Sequence, residues 1–142
     1  MTVIRKGRNV EIHFDDAGGT NRDMTAYWQS GDPDVSDDQV EVTTFADSAH
    51  RNNPGLESAG LSFTFDQYST GTASPWVVFT GLMASNSTVH DIMYYPDGTG
   101  SGQPIVTVPA KCVRIAPGGG VGERGVMTVD FAVDGTRTIG TV

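Results

Sequence analysis

The sequence predicts a mainly β protein: an antiparallel β-sandwich or barrel of about eight strands with one flanking α-helix, at about residues 75–84. Two observations carry this prediction. Short segments alternate apolar and polar residues, which is the pattern of half-buried strands. Glycine supplies 18 of the 142 residues, well above a typical share of roughly 7%, which indicates many tight turns. Because the chain contains no internal repeat and no linker, residues 1–142 are predicted to form a single domain.

Turn signals divide the chain into eight predicted strands. They cover residues 9–14, 23–29, 40–44, 61–66, 89–95, 105–115, 126–133 and 136–142. The clearest is the fourth, in which Leu61, Phe63 and Phe65 alternate with polar residues. Pro109 in the sixth strand cannot donate a ladder hydrogen bond, so a β-bulge or a sheet edge is expected there. Asp134-Gly135 predicts a tight turn before the last strand.

The one predicted helix lies between the fourth and fifth strands. Ser74 is a suitable N-cap residue, and Pro75 suits the first helical position. Apolar residues follow at steps of three and four, which places them on one helical face: Trp76, Phe79, Leu82 and Met83.

Charge and cysteine content exclude several classes of function. The formal net charge is -8, and such a surface repels nucleic acid and anionic membranes. No apolar run approaches the ~20 residues of a membrane-spanning helix. The first ten residues carry no signal-peptide pattern, so a cytoplasm-like compartment is expected. Cys112 is the single cysteine, which excludes an internal disulfide and a multi-cysteine zinc site and predicts a buried structural thiol.

No catalytic, cofactor-binding or metal-binding residues are predicted. The three histidines, His13, His50 and His90, have no metal-ligand spacing. His13 lies on the polar side of its strand, so surface exposure is expected rather than metal binding. Ser48 and His50 stand two residues apart in an irregular loop, without the strained turn of a serine nucleophile. The chain is therefore not expected to be an enzyme.

Two loops resemble ligand-binding motifs only superficially. Residues 30–38 ("SGDPDVSDD") contain four acids, Asp32, Asp34, Asp37 and Asp38. They do not fit the calcium-loop spacing, so a solvated acidic loop is predicted. Residues 116–125 ("APGGGVGERG") lack the Gly-Lys-Ser/Thr ending of a phosphate loop and precede a strand. A long, mobile hairpin loop around Gly118–Gly120 is expected instead.

Residues 41–65 ("EVTTFADSAHRNNPGLESAGLSFTF") are similar to a segment of the major tail tube proteins of long-tailed bacteriophages, particularly those of actinobacterial hosts. The shared outline is a Thr-Thr-Phe-x-Asp-Ser turn, a short basic stretch, Pro-Gly-Leu and an alternating strand. It is matched here by Thr43, Thr44, Phe45, Asp47, Ser48, Arg51, Pro54, Gly55 and Leu56. The order of strands and helix also fits. A tube-like minor protein remains an alternative to the major subunit.

The resemblance implies a structural virion protein that assembles with itself into stacked six-membered rings. The rings would form the hollow tail tube that conducts viral DNA during ejection, without binding it specifically. Implied partners are further copies of the chain and other tail proteins: the tape measure, the tail terminator and the distal tail protein. The implied location is the virion tail, assembled in the host cytoplasm. No cofactor and no membrane are implied. The acids Asp32, Asp34, Asp37 and Asp38 are the predicted lumen-facing candidates.

The 41–56 loop has the composition of an interface element. Phe45 and Leu56 are predicted apolar anchors, Asp47 and Arg51 flanking charges, and His50 lies between them. Pro54 would reduce the entropy lost on ordering. The alternative is an ordinary loop that caps the monomer core.

Two other classes of function stay open. One is a decoration or adhesion domain of a virion. The other is a small-ligand-binding β-barrel with Tyr27, Trp28 and Trp76 as pocket walls.

Overall fold

The computed structural model describes residues 9–31, 33, 36–41, 44, 46, 48–49, 52–58, 60–67 and 71–142, with the side chains of 36–41 and 52–58 outside the description. The described part contains ten strands and one α-helix. The elements are β1 (Glu11–Asp15), β2 (Asn21–Asp23), β3 (Trp28–Ser30), β4 (Ser36–Glu41), β5 (Asn52–Ser58), β6 (Gly60–Asp66), α1 (Pro75–Ala84), β7 (His90–Tyr95), β8 (Pro104–Gly118), β9 (Val126–Val133) and β10 (Thr138–Thr141).

Eight of the strands form one antiparallel sheet. Its order is β2-β1-β7-β8-β9-β6-β3, and β10 pairs with the part of β8 that β9 does not reach. The remaining two strands, β4 and β5, form a separate hairpin. The predicted mainly β, antiparallel class with one helix is therefore confirmed.

The large sheet curls until its two halves pack against each other. Phe14 of β1 lies 5.6 Å, between ring centroids, from Phe63 and from Phe65 of β6. Near one end of the order, Trp28 of β3 lies 6.1 Å from Tyr94 of β7. These contacts join strands that are distant in the sheet order, so the sheet encloses a core as a sandwich or an incomplete barrel does.

Five phenylalanine rings fill the middle of that core. They are Phe14, Phe63, Phe65, Phe79 and Phe131, each at most 3% exposed. Most of their close pairs meet edge-to-face, a favourable geometry for aromatic rings. Because Phe79 belongs to α1, the helix closes the core with an apolar side chain.

The helix begins and ends where the sequence predicts, but its buried face is rotated. Pro75, Val78, Phe79 and Leu82 are buried, whereas Trp76 and Met83 pack at the margin and stay partly exposed. The face centres on Phe79 because that ring enters the aromatic cluster, 4.8 Å from Phe65. Ser74 is the N-cap residue, yet its hydroxyl donates to the Gly71 carbonyl at 2.8 Å, which satisfies a buried polar group.

The predicted strand over 23–29 is wrong in detail. The Asp23 carboxylate accepts hydrogen bonds from the backbone N–H and the hydroxyl of Thr25. This local turn competes with extended backbone, and a 3-10 turn follows at Thr25–Tyr27. The turn ends β2, and β3 begins only at Trp28. It also carries the chain from one end of the sheet order to the other.

Pro109 lies at a change of strand partner rather than in a bulge. On one side of β8, β10 pairs with residues 104–107 and β9 with residues 110–118. Pro109 faces the junction, where its carbonyl accepts from Asp134 N–H at 2.9 Å. Its missing N–H therefore interrupts no ladder, although β8 lies inside the sheet, so the predicted bulge or sheet edge at Pro109 is wrong. The register shift of β8 falls between Cys112 and Arg114.

Candidate assembly surfaces

The hairpin of β4 and β5 is the most isolated element in the described structure. Gln39, Val40 and Glu41 pair with Pro54, Asn53 and Asn52 respectively. Each of the two strands packs chiefly against the other, and no ladder joins them to the eight-stranded sheet. A single two-stranded hairpin is marginally stable in water.

The predicted interface loop contains a strand. Residues 52–56 were expected to belong to the irregular 41–56 loop, and they form most of β5 instead. Between Asp37 and Gln39 the ladder gains one residue on β5, because their partners are Glu57 and Pro54. The Pro-Gly-Leu stretch thus lies at a β-bulge, which increases local twist. The missing N–H of Pro54 is tolerated because β5 is an edge strand.

The structure brings together few of the sequence-predicted site residues. Pro54 and Leu56 lie in β5, while Phe45, Asp47, His50 and Arg51 fall outside the described residues. Asp37 and Asp38 lie in β4, so the prediction of one acidic loop over 30–38 is wrong for its last three residues. Asp32 and Asp34 also fall outside the described residues. The assembly and lumen roles of all these residues stay predictions.

The outer surface of β1, β2 and β7 is strongly acidic. Glu11, His13 and Asp15 alternate with the buried Ile12 and Phe14, so they point away from the core. Burial raises the pKa of Asp15, and repulsion from Asp91 adds to that increase, partly offset by His90. We call Glu11, His13, Asp15, Asp23 and Asp91 the acidic face.

A second surface, on β6, β8 and β9, carries paired charges. Arg114 Nη1 lies 3.0 Å from Asp130 Oδ2, Arg124 Nη2 2.6 Å from Asp66 Oδ2, and Lys111 Nζ 2.8 Å from Asp134 Oδ2. The hydrogen bond from Arg124 is the main cause that lowers the pKa of Asp66. We call these three ion pairs the charge-paired face.

The acidic face contains a histidine that sequence analysis placed wrongly. The side chain of His13 is 13% exposed, not free on the surface. Its Nε2 faces Glu11 Oε1 at 3.4 Å and Asp23 Oδ2 at 3.8 Å, and its Nδ1 lies 2.7 Å from Asn21 Oδ1. The signal available in the sequence was Glu11-x-His13 on one strand face. The contribution of Asp23 depends on strand register, which spacing alone does not give.

Of the large apolar side chains in the described part of the chain, Val121 and Ile139 are the most exposed. Val121, at the tip of the β8–β9 loop, is fully exposed, and Ile139 of β10 is 68% exposed. The predicted hairpin connection is confirmed, but residues 116–118 of the predicted loop belong to β8. Gly119 has a positive φ of 99°, a backbone conformation that favours glycine. A Cβ there would lie 2.7 Å from the carbonyl oxygen of Arg124.

Among the described residues, aromatic side chains fill the interior that a ligand-binding barrel would leave open. Tyr27, Trp28 and Trp76 pack against the core cluster, which the phenylalanine rings fill. The indole N–H of Trp28 donates to the carbonyls of Ser30 and Gly31. Two open clefts of about 300 Å³ each are lined by other residues, many of them polar. No helix in the described part of the chain is long and apolar enough to cross a membrane.

The fold is similar to chains of several phage-like particles. One belongs to the tail of an empty gene transfer agent particle with C6 symmetry: TM-score 0.71, 15% identity, 97% of this chain and 100% of that chain covered. Another belongs to the six-fold symmetrised baseplate of the anti-feeding prophage: TM-score 0.65, 12% identity, 100% and 99% covered. A third belongs to the extended sheath–tube complex of an extracellular contractile injection system, PVC: TM-score 0.64, 14% identity, 100% and 95% covered.

These likenesses define the class of fold. The chain has, over nearly its whole length, the tail tube type of fold found in phage-like tails and contractile injection systems. No protein-family model and no curated protein matches the sequence. The named neighbours come from a gene transfer agent particle and from injection systems. The actinobacterial long-tailed-phage part of the sequence resemblance therefore stays a prediction.

Proposed function

We propose that this protein is the structural subunit of a phage-like tail tube, in which six-membered rings stack into a hollow conduit for DNA. The observation that carries the proposal is the full-length fold likeness to a chain of a particle tail with C6 symmetry. The neighbouring matches to a baseplate and to a sheath–tube complex point to the same class of assembly.

The isolated β4–β5 hairpin supports a self-assembling role. Its strands contact mainly each other in the described structure, so docking on a neighbouring copy would supply the missing buried surface. In this proposal Phe45 and Leu56 are the apolar anchors, Asp47, His50 and Arg51 form the polar rim, and Pro54 limits the flexibility of β5. Val121 and Ile139 are two further apolar contact points.

The charge of the chain suits a conduit for nucleic acid. Six copies with a formal charge of -8 each give -48 per ring. Carboxylates that line a lumen repel phosphate, so DNA passes without being held. Asp32, Asp34, Asp37 and Asp38 are the proposed lumen residues. The proposed partners beyond the chain itself are the tape measure, terminator and distal tail proteins, and the proposed location is the tail of the particle.

Electron microscopy of the purified protein tests this proposal. The parent protein, concentrated and negatively stained, is expected to form rings or hollow tubes. The Phe45→Asp variant is expected to remain monomeric in light scattering, because it places a charge in the proposed anchor. Thr88→Asp is the matched control, since it adds the same charge at an exposed turn after α1.

Each outcome separates one part of the proposal from another. Tubes in the parent and in Thr88→Asp, but not in Phe45→Asp, support both the tube and the hairpin contact. Tubes in all three proteins keep the function and reject the role of Phe45. Persistent monomers of the parent, at all concentrations, contradict the tube and favour a decoration domain.

A further inference from the structure

We propose that Glu11, His13 and Asp23 bind a divalent transition-metal ion, with Zn²⁺ as the type. His13 on β1 is paired directly with Asp23 on β2, and Glu11 lies two residues before His13 on the same strand face. One ligand atom from each residue lies within 4.8 Å of the other two. The three side chains therefore converge on one point of the acidic face.

The separations are close to those of a metal site. Ligand atoms at roughly 2.0–2.2 Å from a tetrahedral zinc ion lie about 3.3–3.6 Å from each other. His13 Nε2 is 3.4 Å from Glu11 Oε1 and 3.8 Å from Asp23 Oδ2. The carboxylate oxygens of Glu11 and Asp23 lie within 4.8 Å of each other, so rotation of these two side chains would bring the three ligand atoms to the required spacing.

The hydrogen bond at Nδ1 of His13 leaves the other ring nitrogen, Nε2, available as a metal ligand. The amide nitrogen of Asn21 donates to the sulfur of Met93 at 3.2 Å, so its oxygen faces His13 Nδ1 at 2.7 Å. An amide oxygen is only an acceptor, which means that Nδ1 carries the proton. Nε2, the other ring nitrogen, faces one oxygen of Glu11 and one of Asp23, and a cation placed between these three atoms would be bound by all of them.

The carboxylate of Asp23 is also oriented by hydrogen bonds. Its Oδ1 accepts from the N–H and the hydroxyl of Thr25, at 2.9 and 2.6 Å. Its other oxygen, Oδ2, is the one that faces His13. Two of the three ligands are thus held by outer hydrogen bonds, as is usual for metal-binding side chains.

The ligand chemistry selects the class of ion. Imidazole with carboxylates suits Zn²⁺ and its neighbours in the first transition row, whereas Ca²⁺ takes oxygen ligands only. The Asp23 side chain is 52% exposed, so the fourth position is open to water. A bound ion would cross-link β1 to β2, the three-residue strand at one end of the sheet order.

Calorimetric titration of chelator-treated protein with Zn²⁺ tests the site. The parent is expected to bind one equivalent, and His13→Asn to bind at least about tenfold more weakly. His90→Asn is the matched control, since it removes another histidine and is expected to bind as the parent does. Titration with Co²⁺ gives a second readout, a visible absorption band that His13→Asn is expected to lose.

The following results would overturn the site. One is the absence of Zn²⁺ binding by the parent. The others are equal Zn²⁺ affinity in the parent and His13→Asn, and a loss of affinity in His90→Asn as large as in His13→Asn. Far-UV circular dichroism of each variant identifies a failure to fold. If His13→Asn does not fold, the isosteric Asp23→Asn variant is tested instead. It is expected to bind Zn²⁺ more weakly than the parent, and unchanged binding would contradict the proposal.

Discussion

The curled eight-stranded body and the β4–β5 hairpin are built on opposite principles. In the body, side chains from β1, β6, β9 and α1 meet in one aromatic cluster that is almost inaccessible to solvent. In the hairpin, two strands pair with each other and make few contacts with the rest of the described structure. The body can be stable in a single chain, whereas the hairpin is expected to gain its stability from a neighbouring copy.

The loss of one aromatic ring should destabilise the monomer strongly in the eight-stranded body and weakly in the segment that joins β4 to β5. Phe14→Ala is expected to lower the free energy of unfolding by about 3–5 kcal/mol, because it leaves a cavity among four other rings. Phe45→Ala is expected to change monomer stability far less. Urea unfolding of both variants measures the difference. Equal losses would mean that Phe45 belongs to the core of the monomer.

Hydrogen exchange should show the same contrast without mutation. In the monomer, amides of β6 and β9 are expected to exchange only through global unfolding, since these strands pair in register over seven residues. Amides of β4 and β5, and of the Gly118–Gly120 loop, are expected to open at a cost several kcal/mol lower. Assembly into rings should slow hydrogen exchange at these amides. Protection of both segments in the isolated monomer would contradict the docking role.

The buried thiol of Cys112 should make the free energy of unfolding depend on pH in the alkaline range. Burial raises its pKa to about 11, above the ordinary value near 9. The unfolded chain therefore loses this proton first, and the free energy of unfolding should fall between pH 9 and pH 11, by on the order of 1–3 kcal/mol. Urea unfolding across that range measures the fall, with Cys112→Ala as the control that removes this contribution. Rapid alkylation of the native thiol at pH 8 would be inconsistent with its burial.

The ion pairs of the charge-paired face should contribute least to the free energy of unfolding of the body. Arg114→Ala removes the partner of Asp130 at a side chain that is 62% exposed. The expected loss is below about 1 kcal/mol and is smaller still at high salt. Thermal unfolding at low and high ionic strength measures it. A loss as large as that of Phe14→Ala would show that surface charge, not the aromatic core, holds β8 to β9.

Prediction from sequence succeeded where the structure depends on neighbouring residues. The alternation in β1 and β6 and the Ser74-Pro75 start of α1 are local patterns, and each marks its element. Prediction was wrong at 23–29, because the Asp23–Thr25 hydrogen bonds outweigh strand propensity. It was wrong at 52–58 because Pro and Gly are typical of turns, and here they lie in a bulged edge strand.

The surfaces were less predictable than the elements. The acidic composition is visible in the sequence, but the meeting of Glu11 and His13 with Asp23 depends on the pairing of β1 with β2. The buried face of α1 was predicted around the right residue, Phe79, but its rotation depends on the rings that receive it.

The sequence by itself determined the β class, the single helix and the acidic charge, because alternation, capping and composition are properties of nearby residues. Tertiary structure decided which strands are neighbours, how the sheet curls around Phe14, and which side chains face each other across β1 and β2. Strand pairing joins residues far apart in the chain. It is selected by the free energy of the whole core, which no short segment contains.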